Sequence, residues 1–448
     1  MSKFFGGIHP RSLKSLTYDK PIKRPFIPKK VVLPLLQHVG APAEPVVSVG
    51  DMVTLGQVIG KEKGFISSPV HATIAGKVTS IAPSPTPVHG SVISVTIEAQ
   101  PSQDQAFKPV GRDFLALSNE EIINAIKEAG IVGLGGAAFP THVKLSPPKG
   151  KKIDSLILNG AECEPYLTCD HRIMLEKPKE ILKGLDIVAK VLGVKDLYIA
   201  VEDNKRSAIY SMDRALAGST VPAPRIRSVQ KRQGLNVKIV TLPTKYPQGA
   251  EKQIVKAVLD REVPAGGLPM DVGCVVVNVG TAFAIFEAIY GGKPLIERAV
   301  TITGDCIREP MNAFVRIGTL LGDLVSHMGG FIKEPRKIIV GGPMMGVAQY
   351  TMDVPIIKGT SGVIFLSSDD TGGLQEGPCI RCGRCIDVCP MKLMPTSIMY
   401  RVKKENFAEA KECGITNCYE CGSCAYTCPA KIPLLDYMKY GKSKLQVV

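Results

Sequence analysis

Eight of the thirteen cysteines stand in two matching runs near the end of the chain. The first is Cys379, Cys382, Cys385 and Cys389; the second is Cys418, Cys421, Cys424 and Cys428. Each reads C-x-x-C-x-x-C-x-x-x-C and closes with a proline, Pro390 or Pro429. Three thiolates so spaced can wrap one corner of a [4Fe–4S] cube, and the fourth ligand must come from further away, so the two runs exchange their last cysteine. One cluster is assigned to Cys379, Cys382, Cys385 and Cys428, the other to Cys418, Cys421, Cys424 and Cys389. Zinc sites also use C-x-x-C pairs, but they need four ligands and neither a repeated third cysteine nor a following proline. Exchanged ligation holds two clusters close together, and the chemistry this implies is one-electron transfer.

The remaining totals bound what can feed such a wire. A chain of 448 residues, 45% hydrophobic, is long enough for several packed domains. No run of about 18 apolar residues appears, so no transmembrane helix is expected. The opening MSKFFGGIHP lacks the apolar core of a secretory leader, which argues for a reducing compartment and against a disulfide framework. The net charge is +14, and residues 1–30 hold eight Lys or Arg against one acid, Asp19. This basic arm suits an acidic partner or anionic headgroups, or is simply a solvated strand laced with prolines. No basic-aromatic platform or helix-turn-helix pattern points to nucleic acid.

The elements that must position the clusters come in order along the chain. Residues 31–98 alternate short apolar runs with Gly and Pro, as in a small barrel or sandwich. Residues 99–117 read as a polar linker. Ser118 with Glu121 forms a capping box before the stripe Ile122, Ile123, Ile126. Then comes a glycine loop: Gly133, Gly135 and Gly136 let backbone N–H groups approach a phosphate, with Lys144 adding charge. The strand Ile153–Leu158 ends in Asn159-Gly-Ala-Glu162-Cys-Glu164-Pro, and open α/β sheets take ligands just beyond their strand ends. Helix and strand alternate to residue 293, with a helix over 171–193 broken at Pro178, which implies a largely parallel sheet. Residues 294–345 read as a small β-grasp module, 346–370 as an irregular connector and 371–448 as the cluster domain.

With these residues in place, the chain resembles the NADH-oxidising flavoprotein of complex I. The resemblance rests on G-L-G-G-A-A-F-P-T-H-V-K, N-G-A-E-C-E-P, Tyr246-Pro-Gln-Gly249-Ala-Glu251 and Val277-Asn278-Val-Gly-Thr. The phrase V-G-D-x-V-x-x-G-Q-x-I ahead of it resembles the lipoyl-carrier hammerhead, without a lysine at the tip, where Gly64–Phe65 stand. Hammerhead, flavin region, β-grasp and two-cluster ferredoxin in this order, behind F-x-G-G-I-H-P, are similar to the RnfC family of the Rnf ferredoxin:NAD⁺ oxidoreductases. The implied fold is multidomain α/β: a barrel-sandwich at 31–98, a Rossmann-like FMN/NAD(H) domain at 118–293, an SLBB β-grasp module at 294–345 and a C-terminal ferredoxin-like domain.

The resemblance also implies roles. Gly133, Gly135, Gly136 and Lys144 would cradle the FMN phosphate and ring edge. Asn159, Tyr246, Gly249 and Asn278 would add ring and ribityl contacts. Phe139 would stack on the dinucleotide, and Glu162, Glu164 and Glu251 would stand around flavin and ribose, favouring NAD(H). Taken alone, Tyr246 suits a core as well as a ligand, and Asn278 suits a helix cap. Leu134, Ala161 and Ala250 depart from the complex I pattern, where arginine, aspartate and glutamate stand. Implied partners are the other proteins of a membrane-bound redox complex, among them an iron–sulfur subunit that receives ferredoxin electrons, with the chain peripheral on the cytoplasmic side. Two further readings remain: a flavin-less iron–sulfur relay, and a hammerhead carrying a lipoyl group.

Overall fold

The computed structural model describes the chain except residues 1–3, 25, 102–106, 108–112, 149, 219–229, 233, 368–374 and 446–448. Most of the expected linker 99–117 therefore lies outside the described residues.

The N-terminal arm contributes β1 (Ile22–Lys23) to a sheet formed much later in the chain. The barrel-sandwich follows, with β2 (Lys30–Pro34), β3 (Glu44–Pro45), β4 (Met52–Val53), β5 (Val58–Lys61), β6 (Val70–His71), β7 (Gly76–Thr86) and β8 (Gly90–Ala99). They form two sheets, β2-β8-β7-β4 and β3-β5-β6. Alternate residues of β2 and β8 (Val31, Leu33, Val95 and Ile97) turn inward, as period-2 patterning requires. In the loop after β5, Phe65 is exposed and Lys63 pairs with Glu44.

The central domain begins with α1 (Asn119–Glu128), capped by Ser118 and Glu121 as expected, and α2 (Thr141–Lys144). Next come β9 (Ser155–Gly160), α3 (Cys169–Glu176), α4 (Pro178–Leu192), β10 (Asp196–Glu202), α5 (Arg206–Ala217), β11 (Gln230–Arg232), β12 (Leu235–Leu242), α6 (Glu251–Leu259), β13 (Cys274–Asn278) and α7 (Val279–Gly291). The break between α3 and α4 falls at Pro178, which takes the first position of the second helix. The sheet order is β11-β12-β10-β9-β13, with β12, β10, β9 and β13 parallel.

The third unit holds β14 (Glu297–Gly304), β15 (Met311–Arg316), α8 (Leu321–His327), β16 (Lys337–Val340), β17 (Val347–Gln349) and β18 (Gly362–Leu366). Its sheet runs β1-β15-β14-β18-β16-β17. Two expectations are corrected here. Residues 346–366 are not a connector: all five residues of β18 are buried, and the strand sits between β14 and β16. Nor is the arm a solvated strand. Lys14 is 8% exposed and donates to the carbonyls of Glu162, Glu164 and Leu167. Asn312 of β15 donates to the Thr17 carbonyl, and Gly7 donates to Val388. Buried backbone carbonyls need donors, and the arm supplies them.

Lys358 ties three units at one point. Its ammonium is buried and donates to Pro69 O and Gly130 O, both at 2.7 Å, while its backbone N–H reaches Gln37 Oε1. The C-terminal domain is a set of short helices, Arg384–Asp387, Pro395–Lys403, Phe407–Glu412, Ser423–Thr427 and Leu434–Leu445, packed around the cysteine loops.

Candidate functional site: a crevice at the strand ends and two thiol rings

From β9 the chain builds outward to β10 and β12 on one side, then returns to place β13 on the other. The order therefore reverses between β9 and β13, which is where open α/β sheets leave a crevice at their carboxyl ends. Asn159 and Asn278 are register partners at that point. Asn159 accepts from Ala161 N (3.0 Å) and donates to Gly249 O (2.9 Å). Asn278 caps α7 by accepting from Gly280 N (2.8 Å) and donates to Asp170 Oδ2 (2.7 Å).

The glycine loop lies against the start of α7. It is closed by Gly133 N to Phe139 O (2.8 Å) and held by Leu134 N to Thr281 Oγ1 (2.9 Å). Leu134 O accepts from the buried Arg298 guanidinium (3.2 Å). Gly135 is so near Asn278 that a Cβ would stand 3.0 Å from the asparagine's own, while Gly136 faces open space. Residues 135–137 are exposed and Phe139 is half-buried. Lys144 pairs with Glu251 at the same rim and donates to Val276 O (3.3 Å). Loop, helix start and Lys144 thus bring exposed backbone and a cation to one rim, a setting for an anionic group.

Three of the residues expected at the flavin are buried and engage protein groups. Glu162 is 6% exposed, its Oε1 accepts from Asp170 N (2.8 Å), and its Oε2 has no hydrogen-bond partner among the described residues. Glu164 accepts from Met344 N and Met345 N, and burial pushes its carboxyl up to about 7. Tyr246 is 1% exposed and its hydroxyl donates to Cys421 O (2.8 Å). Glu164 and Tyr246 thus meet neighbouring units, at Met344, Met345 and Cys421. Asp170 went unnoticed in the sequence. Burial, and then the Glu162 charge, push its carboxyl up to about 7. Its only signal was its place in the first turn of a helix after a strand-end loop. Arg298 gave no signal, since its partner carbonyls belong to residues 134 and 358.

The cysteines form two separate rings. One cavity is lined by Cys389, Cys418, Cys421 and Cys424, with Pro390, Met391 and Tyr419. The other is lined by Cys379, Cys382, Cys385 and Cys428, with Ile380, Arg381 and Pro429. Each ring takes three thiols from one run and the last from the other. The backbone repeats too: Arg381 and Glu420 have φ of 55° and 63°, and Gly383 and Gly422 have 77° and 75°. These left-handed residues bend each C-x-x-C loop around its cavity. Backbone N–H groups already point at sulfur, Leu393 N at Cys389 and Glu420 N at Cys418, both 3.4 Å. Among the described residues no three His, Cys, Asp or Glu side chains converge as a single ion would need. Thiols spread around a cavity suit a polynuclear cluster better than one zinc.

Four family profiles match in order. "RnfC Barrel sandwich hybrid domain" covers residues 2–102, "Nuo51 FMN-binding domain" 126–287, "SLBB domain" 299–348 and "4Fe-4S dicluster domain" 378–432. The C subunit of the proton-translocating ferredoxin:NAD⁺ oxidoreductase complex of Clostridium ljungdahlii is 47% identical, over 99% of this chain and 94% of the relative. The chain belongs to the RnfC family. The C subunit of the Na⁺-translocating complex of Acetobacterium woodii is 43% identical over 88% of this chain and 86% of its own. The C subunit of the ion-translocating oxidoreductase of Rhodobacter capsulatus is 42% identical over 98% and 82%.

This RnfC chain is thus an electron-transfer subunit of an ion-translocating ferredoxin:NAD⁺ oxidoreductase, with an FMN-binding domain and a 4Fe–4S dicluster domain. Among its described residues no helix is long and apolar enough to cross a membrane. Its two thiol rings differ in setting. The ring containing Cys421 faces the FMN domain, where Tyr246 meets Cys421 O and Gln253 donates to Pro390 O (3.3 Å). The other ring opens outward: Cys382 is exposed and Ile380 is 66% exposed.

Proposed function

We propose that the crevice between β9 and β13 holds FMN non-covalently, with its phosphate on the Gly133–Gly136 loop and Lys144 and its ring beside Asn159, Gly249 and Asn278. The observation that carries this is the strand-order reversal, with two asparagines, a glycine loop and the start of α7 meeting at one point. FMN supplies, when bound, the exchange between the two-electron chemistry of NAD(H), here the substrate, and the one-electron chemistry of the clusters. Phe139, at the rim, is where the dinucleotide stacks. Of the three expected carboxylates, Glu251 alone is at the rim, and its charge opposes a 2′-phosphate. Leu134, Ala161 and Ala250 leave the crevice without charged side chains at those positions, so backbone groups and asparagines carry most of the ring contacts.

The two thiol rings are read as the ligands of two [4Fe–4S] clusters, Cys379, Cys382, Cys385 and Cys428 for one, and Cys389, Cys418, Cys421 and Cys424 for the other. The chain's own contribution is spacing and placement: the Cys421 ring packs against the FMN domain, and the Cys382 ring opens to a partner. That partner is an iron–sulfur subunit that brings ferredoxin electrons, and the chain works peripherally on the cytoplasmic side of the membrane. Flavin and iron per chain, measured on anaerobically purified protein, test the reading. About eight irons with one FMN that bleaches on adding NADH is the expected result. Eight irons and no flavin, even after adding FMN back, would replace it with the flavin-less relay.

A further inference from the structure

The two cysteine runs repeat each other in spacing but differ in the residue after the first cysteine. After Cys418 stands Tyr419; after Cys379 stands Ile380. Ile380 points to solvent. Tyr419 lines the cavity of the inner ring, and its hydroxyl is buried without a hydrogen-bond partner among the described residues. It shares that cavity with Cys389 and Cys421 of the same ring. A buried hydroxyl left without a partner is destabilising, so such a group generally has an acceptor in the working protein. From the other side, Tyr246 donates to the carbonyl of the same Cys421 at 2.8 Å. Two phenols from two domains thus address one cysteine. The outer ring has no phenol at the position matching Tyr419.

We propose that Tyr419 and Tyr246 are positioning residues that donate hydrogen bonds to Cys421, at its sulfur and its carbonyl, and raise the reduction potential of the cluster beside the FMN domain. This rests on the iron–sulfur reading of the thiol rings. Reduction adds negative charge to a cluster. A donor dipole aimed at its ligand stabilises that charge, and more so in a dry, low-dielectric setting. The burial of both phenols and the apolar lining of Met391, Leu393 and Leu435 provide that setting. The sequence asymmetry therefore becomes an energetic one. The inner cluster holds an electron more tightly than it would without the two phenols, while the outer one is tuned by exposure and by Thr396, which lines its cavity beside Cys385.

The test is an EPR-monitored redox titration of the full chain, purified anaerobically, with iron counted in every sample. Wild type, Tyr419→Phe, Tyr246→Phe and Thr396→Val are compared. Tyr419→Phe should lower the midpoint of one cluster signal by about a tenfold change in its reduced-to-oxidised ratio, about 59 mV for one electron, and leave the other signal in place. Tyr246→Phe should move the same signal the same way by less. Thr396→Val should move the other one. Unmoved midpoints in both tyrosine variants, or movement of the signal that Thr396→Val moves, overturn the proposal. Should Tyr419→Phe lose inner-cluster iron, Tyr246→Phe decides alone. Wild type without cluster iron would sink the iron–sulfur assignment and this proposal with it, and the iron count tells that failure from the others.

Discussion

Replacing Lys144 by alanine tests the phosphate end of the crevice. In the structure the ammonium is half-buried, paired with Glu251 and in reach of Val276 O. A charge-assisted hydrogen bond contributes about 1.5–3 kcal/mol, which corresponds to roughly ten- to hundredfold in affinity. Its pair with Glu251 is partly exposed and sets a smaller competing term, about 0.2–1 kcal/mol. Net of that term, Lys144→Ala should weaken FMN binding by roughly two- to hundredfold. Glu251→Gln should tighten it by up to about fivefold, because the competing carboxylate is gone. The assay is fluorescence titration of flavin-stripped protein with FMN and, in parallel, with riboflavin, which lacks the phosphate. Iron content should not change. An equal loss for riboflavin, or FMN affinity unchanged in Lys144→Ala, would refute the phosphate role.

Three further outcomes follow from the geometry. Cys389→Ser should remove about four irons and abolish the same EPR signal as Cys421→Ser; losing the signal that depends on Cys379 instead would refute the exchange of last cysteines. Gly249→Ala should lower the temperature of flavin release, since a Cβ there would overlap the Ala161 carbonyl and such overpacking costs about 1–3 kcal/mol. Burial pushes Lys358 down to about 7 from 10.5. Between those values the unfolded chain binds a proton that the folded chain does not, so wild-type stability rises with pH there by up to about 1.4 kcal/mol per unit. Lys358→Met should flatten that rise, widening the gap in wild type's favour from pH 7 to 10; identical slopes in thermal melts would contradict it.

Features that act over a few residues were legible in the sequence. The cysteine spacing, the Ser118 capping box, the break at Pro178 and the glycine loop each carry their chemistry locally, and each stands where it was expected. Features closed by distant partners were not. Gly362–Leu366 follows an irregular stretch and carries no alternation, because a central strand is buried on both faces. Lys14 looks like any surface lysine until the carbonyls of residues 162–167 surround it. Tyr246 and Glu164 occupy the expected segments but bond to distant units, at Cys421, Met344 and Met345, and a motif read residue by residue does not show such partners. Asn278 did announce itself, since a strand-end asparagine before an apolar helix is a cap, and here it both caps α7 and reaches Asp170.

The N-terminal arm bears on the order in which the molecule is made. Gly7 bonds Val388, Ile8 bridges Tyr246, Asn312 bonds Thr17, and β1 lies beside β15. Each of these partners is translated long after the arm leaves the ribosome. The arm therefore settles only as these later partners fold, and closing so long a loop is slow. Val388 lies between Cys385 and Cys389, so the arm's far anchor belongs to a loop that spans both thiol rings. Only when the last domain is complete can the arm close its far anchor at Val388, and it then straps three domains together.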